Sequence, residues 1–193
     1  MRDICTLFLC LLGAGCLGAA TPGAEADEGM ASSKDNNSFA GTVPFEIVEN
    51  PHSDDSGMSL FTKYIEVLGL GVYAEANVED VHVLHAAHIF AELLDNDEDG
   101  VVDDQALWAE LLSQKALVPI FNSENSPAEN EFFNNYRGNG VSAVLYNNEI
   151  DPAQPGHWGA DATIEEIMHT INAVGHRVVY PAAFDIEPNS SKL

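Results

Sequence analysis

The chain has 193 residues and carries 31 acidic against 7 basic side chains, a formal net charge of −24 at pH 7. Such a chain repels nucleic acid and anionic membranes and attracts cations, so we expect no nucleic-acid partner. All three cysteines, Cys5, Cys10 and Cys16, lie close to the N-terminus. The rest of the chain can therefore form neither a disulfide scaffold nor a cysteine zinc site.

Residues 1–20 have the pattern of a secretory signal peptide: Arg2, a short apolar run, and small residues up to Ala20. The run is too short and too rich in glycine for a membrane span, and the alternative is a buried N-terminal helix. A lipid anchor at Cys16 is less favoured, because Gly13 stands where such a signal prefers leucine. We therefore expect a secreted protein, and we discount the peroxisome-like C-terminal Ser191-Lys192-Leu193.

Residues 21–40 have the composition of a disordered linker, and residues 41–193 suit one α+β domain with three main helices and a small sheet. Hydrophobic periodicity and turn residues predict the elements in chain order. They are a strand over 63–72 bent at its glycines, a helix over 77–94 capped by Asn77, a helix over 104–115, an edge strand over 118–121, a short helix over 127–134, a strand over 141–146, a helix over 163–174 ended by Gly175, and a strand over 178–180.

The acidic segment between the first two helices resembles the loop of an EF-hand, at residues 95–106. Calcium takes six to eight oxygen ligands, and acids at loop positions 1, 3 and 5 converge when a glycine at position 6 turns the chain. Gly100 holds position 6, and Val102 is placed to anchor the loop to a core. The predicted calcium ligands are the side chains of Asp95, Asp97, Asp99 and Asp103 and the backbone carbonyl of Val101.

The loop departs from the EF-hand at position 12, where Ala106 replaces the usual bidentate glutamate. Asp104, Glu110 or water could substitute. We expect weak affinity, in the range of about 10⁻⁴–10⁻³ M known for extracellular modules, and a structural role rather than a sensor role. The alternative is a solvated acidic turn without a cation, in which the four carboxylates would repel one another.

The third long helix carries the sequence Glu165-Glu166-Ile167-Met168-His169, which is similar to the His-Glu-x-x-His helix of zincin peptidases. Glutamate is an accepted zinc ligand, so Glu165 and His169 could hold zinc with His176 or His157 as a third ligand. Glu166 then occupies the position of the general base that activates water. The alternative is a capping box, in which Thr163 caps the helix and Glu166 bonds back to it.

The first predicted helix carries His82, His85 and His88, and only neighbouring pairs of them share a face. His88 and Glu92 could hold a metal, although a hydrogen-bonded pair is favoured.

Together, the block from His85 to Gly100 and the block from Ala162 to His169 resemble a group of secreted proteins that pair a single EF-hand-like loop with a Glu-Glu-x-x-His helix. The resemblance spans about half of the mature chain. It implies a shared fold but no established activity, and similar chains continue past Phe184. Our first hypothesis is a secreted calcium-binding protein with a structural loop. The second is a zinc-dependent hydrolase of degenerate zincin type.

Overall fold

The computed structural model describes residues 45–184, which form an α+β fold as the sequence predicts. The predicted signal peptide, the predicted linker and the C-terminal tripeptide lie outside these residues. The elements in chain order are β1 (Val48–Glu49), β2 (Phe61–Val67), β3 (Leu70–Glu75), α1 (Asp80–Glu92), α2 (Gln105–Ser113), β4 (Leu117–Phe121), α3 (Pro127–Asn135), β5 (Leu145–Tyr146), α4 (Thr163–Thr170), α5 (Arg177–Val179) and α6 (Pro181–Phe184). A 3₁₀ turn covers Asn147–Glu149, and a π-helix covers Ile171–His176 between α4 and α5.

The five strands form one mixed sheet in the order β1-β2-β3-β4-β5. The first three strands pair antiparallel, and β4 and β5 add in parallel. The single bent strand predicted over 63–72 is wrong, because β2 and β3 form a hairpin with Val67 opposite Leu70. Leu68 and Gly69 have φ of 51° and 84°. Two left-handed residues match the twist of a tight hairpin, which explains the reversal at this point.

Strand β4 lies inside the sheet, so the edge position predicted from Pro119 is wrong. The amide of Leu117 donates to the Gly140 carbonyl at 2.9 Å, and the nitrogen two residues later faces the same side. On that side β5 pairs with β4 only from Ile120 onward. Pro119 lacks an N–H group, and on this side of β4 no strand is paired at the point where that group would donate.

Alternate side chains along the strands point to opposite faces of the sheet and pack into two separate cores. Val72, Ala74, Val118 and Ile120 pack on one face with α1, α2 and α4, in the larger core. Tyr73, Leu117 and Phe121 point to the other face. There they join an aromatic cluster, which also contains Met58, Phe61, Tyr64, Ala128 and Phe132. We call this second side the aromatic face.

The helix that begins as α4 extends beyond its predicted end. It passes through Gly175 as a π-helix and continues to Val179, so the helix end at Gly175 and the strand over 178–180 are both wrong. Gly175 is buried, and a Cβ there would lie 2.4 Å from Leu107 Cδ1 and 3.0 Å from Leu111 Cδ2. The glycine therefore allows this helix to approach α2 closely, which is a packing role rather than a stop signal.

The predicted start of α2 is confirmed, because the Asp104 carboxylate accepts hydrogen bonds from the amides of Ala106 and Leu107. Helix α1 begins later than expected, with Glu79 rather than Asn77 at its N-cap. The strand predicted over 141–146 forms only at Leu145–Tyr146. The amides of Ser142 and Ala143 bond to Thr170 Oγ1, at 3.3 Å each, in place of a neighbouring strand. Within residues 45–184, every helix is too short or too polar to cross a membrane.

Candidate metal centres

The loop between α1 and α2 is organised by its own aspartates. Asp95 is only 8% exposed, and its two carboxylate oxygens accept from the amides of Asp99 at 3.2 Å and Gly100 at 2.8 Å. Asp99 accepts in turn from the Val101 amide at 2.8 Å. Glu98 and Gly100 adopt left-handed φ values of 56° and 85°, which turn the chain sharply. The side chains that would face a cation are therefore held in place by backbone donors.

Both ends of the loop are fixed to the larger core. Leu94 and Val102 are buried members of that core, so Val102 anchors the loop as the sequence predicts. The Asp103 amide donates to the Leu94 carbonyl at 3.0 Å and closes the loop. The Gln105 side chain satisfies the Val102 carbonyl at 2.9 Å. The loop consequently links the end of α1 to the start of α2 through packed residues.

Asp95, Asp97 and Asp99 each offer a carboxylate oxygen, and these oxygens lie within 4.8 Å of one another. This group can hold a metal ion. The negative charge of Asp99 raises the pKa of Asp97 above its ordinary value, and the charges of Asp103 and Asp95 act in the same direction. A cation would relieve that repulsion.

The other two predicted calcium ligands lie in the same loop but outside this close group. Asp103 accepts from the Asn96 amide at 3.0 Å. The Val101 side chain is exposed, and the predicted ligand at this position is its carbonyl oxygen.

The side chains considered as substitutes at position 12 have other partners. Asp104 caps α2 and accepts from the Tyr180 hydroxyl at 2.8 Å. Hydrogen bonds, first of all from the Leu107 amide, hold the pKa of Asp104 below its ordinary value. Glu110 accepts from Gln114 at 2.7 Å. Neither carboxylate belongs to the close group formed by Asp95, Asp97 and Asp99.

A second group of possible metal ligands lies on α4. Oxygens of Glu165 and Glu166 and a ring nitrogen of His169 lie within 4.8 Å of one another. The Glu165 Oε1 to His169 Nε2 distance is 3.8 Å, and both side chains are 59% exposed. Burial raises the pKa of Glu166, and the charge of Glu165 adds to that rise while His169 opposes it. A carboxylate of raised pKa beside a possible metal ligand pair is suited to proton transfer.

The capping box that offered an alternative explanation for the two glutamates does not form. Ala162 is the N-cap of α4 and makes no side-chain cap. The buried Thr163 hydroxyl instead donates to Asp161 Oδ1 at 2.6 Å. The side chains of Glu165 and Glu166 are therefore not used to begin the helix.

His176 is not brought into the α4 group. Its Nδ1 lies 2.7 Å from Asn172 Oδ1, and its ring stacks on Phe184 with centroids 4.4 Å apart. Burial lowers the pKa of His176, and the nearby charge of Asp104 opposes that shift. His157 lies in the turn before α4, where its carbonyl accepts from the amides of Ala160 and Asp161.

An open cleft of about 380 Å³ adjoins Glu165. Glu149 and Trp158 also line it, and Trp158 is 91% exposed. Burial raises the pKa of Glu149, and the charge of Glu166 contributes to the rise. Glu149 therefore adds a further carboxylate beside the α4 group, and sequence reasoning missed it because no fixed spacing links residue 149 to residues 165 and 166.

Asp161 is a second residue that sequence reasoning missed. Its carboxylate is buried and accepts from the Thr163 hydroxyl and from the Gly156 amide at 2.8 Å, and its Oδ2 lies 3.0 Å from His85 Nε2. Burial alone would raise the pKa of Asp161, but these hydrogen bonds outweigh it and hold the pKa below its ordinary value. The available signal was an aspartate two residues before a helix start, where its oxygen can accept from helix amides.

The remaining histidines of α1 have different surroundings. His82 Nδ1 lies 2.8 Å from Asn147 Oδ1. His88 packs edge-on against Phe45 with ring centroids 5.0 Å apart, and burial lowers its pKa. His88 and Glu92 line a cleft of about 240 Å³ together with His85. None of His82, His85, His88 and Glu92 belongs to a group of three close metal ligands among residues 45–184.

Comparison of the chain with protein-family models, with curated proteins and with solved structures gave no match in any of the three. The resemblance to secreted proteins with one EF-hand-like loop stays a prediction.

Proposed function

We propose that the protein is a secreted calcium-binding protein whose loop at 95–106 clamps α1 to α2. One observation carries the proposal: oxygens of Asp95, Asp97 and Asp99 converge within 4.8 Å on a loop that is anchored at both ends. All side-chain ligands of this group are carboxylates, which suit a hard cation such as calcium. Softer metals prefer nitrogen and sulfur donors, which this loop lacks.

The clamp would act on stability rather than as a switch. Leu94 and Val102, at the two ends of the loop, are buried in the larger core, so a bound ion would hold packed residues together rather than separate a helix pair. Ligand binding to the folded state alone adds RT ln(1 + [L]/Kd) to the free energy of unfolding. With a Kd of about 10⁻⁴ M and calcium about tenfold above it, the gain is about 1.4 kcal/mol.

Thermal unfolding of the full chain in calcium, magnesium and EDTA tests this role. We expect calcium to raise the melting temperature by about 3–6 °C, since 1 kcal/mol corresponds to about 2–4 °C in a chain of this size. Magnesium demands six ligands in a strict geometry and should give a smaller rise. Asp99→Asn should abolish the calcium effect, and Asp54→Asn, which removes an exposed acid outside the loop, should leave it unchanged. An equal melting temperature of the native chain in calcium and in EDTA would contradict the proposed clamp.

A second candidate function is a zinc-dependent hydrolase, supported by the α4 group and its adjoining cleft. Glu165 and His169 would hold the metal, and Glu166 would act as general base. Glu149 and Trp158 would face a substrate in the cleft. The exposed Trp158 ring offers an apolar surface for that substrate.

This second function is tested by zinc binding and by chelator-sensitive hydrolysis of a peptide panel. We expect His169→Ala to remove zinc, and Glu166→Gln to retain zinc but lose hydrolysis. His176→Ala is the matched histidine control, because His176 lies with Asn172 and Phe184 rather than with the α4 group. Loss of zinc in His176→Ala would make it the third ligand. Absence of both zinc binding and hydrolysis would rule out this second function.

A further inference from the structure

A cleft of about 390 Å³ opens on the aromatic face, beside the hairpin turn of β2 and β3 and the end of α2. Tyr64 of β2, Tyr73 of β3 and Tyr136 after α3 line it. The rings of Tyr64 and Tyr73 lie 5.0 Å apart, and Tyr136 stacks on Phe132 at 4.6 Å. The walls are therefore made of aromatic rings that are held in place by one another.

The hydroxyls of Tyr64 and Tyr73 are available to a ligand. Within residues 45–184, neither has a hydrogen-bond partner in the protein, and neither oxygen is fully enclosed. Burial of the rings raises the pKa of both tyrosines, so both hydroxyls stay protonated at neutral pH. They can donate hydrogen bonds into the cleft.

The same cleft is lined by basic side chains, which are few in this chain. Residues 45–184 contain four lysines and arginines, Lys63, Lys115, Arg137 and Arg177, and two of them, Lys115 and Arg137, line this cleft. Nη1 of Arg137 donates to the Tyr136 carbonyl at 2.8 Å, and Nη2 donates to the Asn134 carbonyl. These bonds fix the guanidinium and leave its other N–H groups for a ligand.

We propose that the cleft binds a small aromatic monocarboxylate. Its polar lining is rich in donors, which calls for acceptor oxygens on the ligand, and a carboxylate supplies them with charge. Met58, Leu70 and Leu117 line the rest of the cleft and suit a flat apolar ring. The volume matches small-molecule sites, which run from about 300 to 1,000 Å³.

The local charge favours one carboxylate on the ligand rather than two. Asp55 also lines the cleft, so it offsets one of the two cations and leaves a net charge of one. The charge of Glu66, which does not line the cleft, also raises the pKa of Tyr64 and Tyr73 and further lowers the positive potential there. Acids farther away act weakly, because salt at physiological strength screens exposed charges beyond about 8 Å. A monoanion therefore fits the field of the cleft.

The test is a titration of phenylacetate into the isotope-labelled full chain in EDTA, followed by amide NMR shifts. EDTA removes calcium and zinc, so the outcome is separate from the proposed metal functions. We expect saturable shifts around Tyr73 and Tyr136, and about tenfold weaker binding of neutral phenylacetamide, since a hydrogen bond to a charged group is lost. Glucuronate, a polar ring with the same carboxylate, should also bind weakly.

Four variants locate the interaction. Lys115→Gln and Arg137→Gln, both at exposed positions, should each weaken phenylacetate binding by about three- to tenfold. Asp55→Asn should tighten it. Arg177→Gln removes an exposed cation elsewhere on the chain and should leave it unchanged.

Three results would overturn the proposal. They are no saturable phenylacetate shift at the aromatic cleft, equal binding of the acid and the neutral amide, and an equal loss in Arg177→Gln and Arg137→Gln. Tighter binding of glucuronate than of phenylacetate would contradict the aromatic part of the proposal and make the ligand a uronic acid.

Discussion

The carboxylate of Asp95 accepts a hydrogen bond from the Gly100 amide at 2.8 Å, across five residues of the loop. Gly100 adopts φ of 85°, and a Cβ built on it would meet no atom within 4 Å. Gly100→Ala therefore introduces no clash, and its cost is the left-handed backbone alone. We expect a loss of about 1–2 kcal/mol in the free energy of unfolding, measured by chemical denaturation, and weaker calcium binding.

Gly100→Asn is the matched control for this prediction. Asparagine tolerates the left-handed region better than alanine, so its loss should be clearly smaller. Equal losses for the two variants would mean that something other than backbone conformation sets the requirement for glycine.

Asp97→Asn should have opposite effects with and without calcium. The charge of Asp99 raises the pKa of Asp97 in the folded state. The stability linked to a raised carboxylate is fully present below its unfolded pKa and is lost as pH rises through the folded pKa. At pH 7 without calcium, Asp97 therefore opposes folding, and Asp97→Asn should raise the melting temperature.

In millimolar calcium the same variant should melt at a lower temperature than the native chain, because it has lost a ligand. Melting curves at pH 7 in EDTA and in calcium measure both signs. A change of the same sign in the two buffers would contradict the account of the loop. Asp54→Asn serves as the control for removing an exposed acid.

Asp161→Asn should destabilise the fold in a manner that depends on pH. Asp161 accepts from Thr163, Gly156 and His85 while buried, and the net effect holds its pKa below its ordinary value. The linked stability is present above the unfolded pKa of 3.8 and is lost as pH falls through the folded value. We expect a loss of about 3 kcal/mol at pH 7 that shrinks below pH 3.8.

Urea denaturation of the native chain and Asp161→Asn, at neutral and at acid pH, measures this difference. Asp151→Asn is the matched control, because Asp151 accepts from Ala153 and Gln154 in an exposed turn. A difference between the native chain and Asp161→Asn that stays constant with pH would show that the charge of Asp161 is not involved.

Gly175→Ala should destabilise the protein although alanine is the better helix former. Propensity favours alanine by about 1 kcal/mol, but the new Cβ would lie 2.4 Å from Leu107 Cδ1. We expect overpacking to cost about 1–3 kcal/mol net. In a Leu107→Ala background the cost should fall, because the clashing group is gone. Stabilisation by Gly175→Ala in the native background would mean that α2 and the π-helix are not packed this closely.

Local features of this chain could be predicted from its sequence, whereas features that depend on distant residues could not. The loop aspartates and the start of α2 at Asp104 follow local rules, since their partners lie within a few residues. The hairpin at Leu68–Gly69 was missed because a leucine with positive φ is rare, so the pair lacked the usual signal. Gly175 was misjudged because its reason lies on another helix, at Leu107 and Leu111.

The candidate sites likewise divide into contacts between residues near in the sequence and contacts between distant residues. Glu165, Glu166 and His169 share one helix turn, so their spacing predicted their proximity. The pairing of His85 with Asp161 joins residues 76 positions apart. The aromatic cleft likewise joins Tyr64, Tyr73 and Tyr136 from separate elements. Such contacts depend on the packing of the whole fold, which hydrophobic periodicity does not specify.

The most direct test of the central claim is a calorimetric titration of calcium into the full chain, with Asp97→Asn alongside. The account predicts one calcium per chain with a Kd of about 10⁻⁴–10⁻³ M, lost or strongly weakened in the variant. No calcium binding by the native chain, or unchanged binding by Asp97→Asn, would contradict it. In that case the loop at 95–106 would be an acidic turn, and the ligands on α4 would be the remaining candidate metal site.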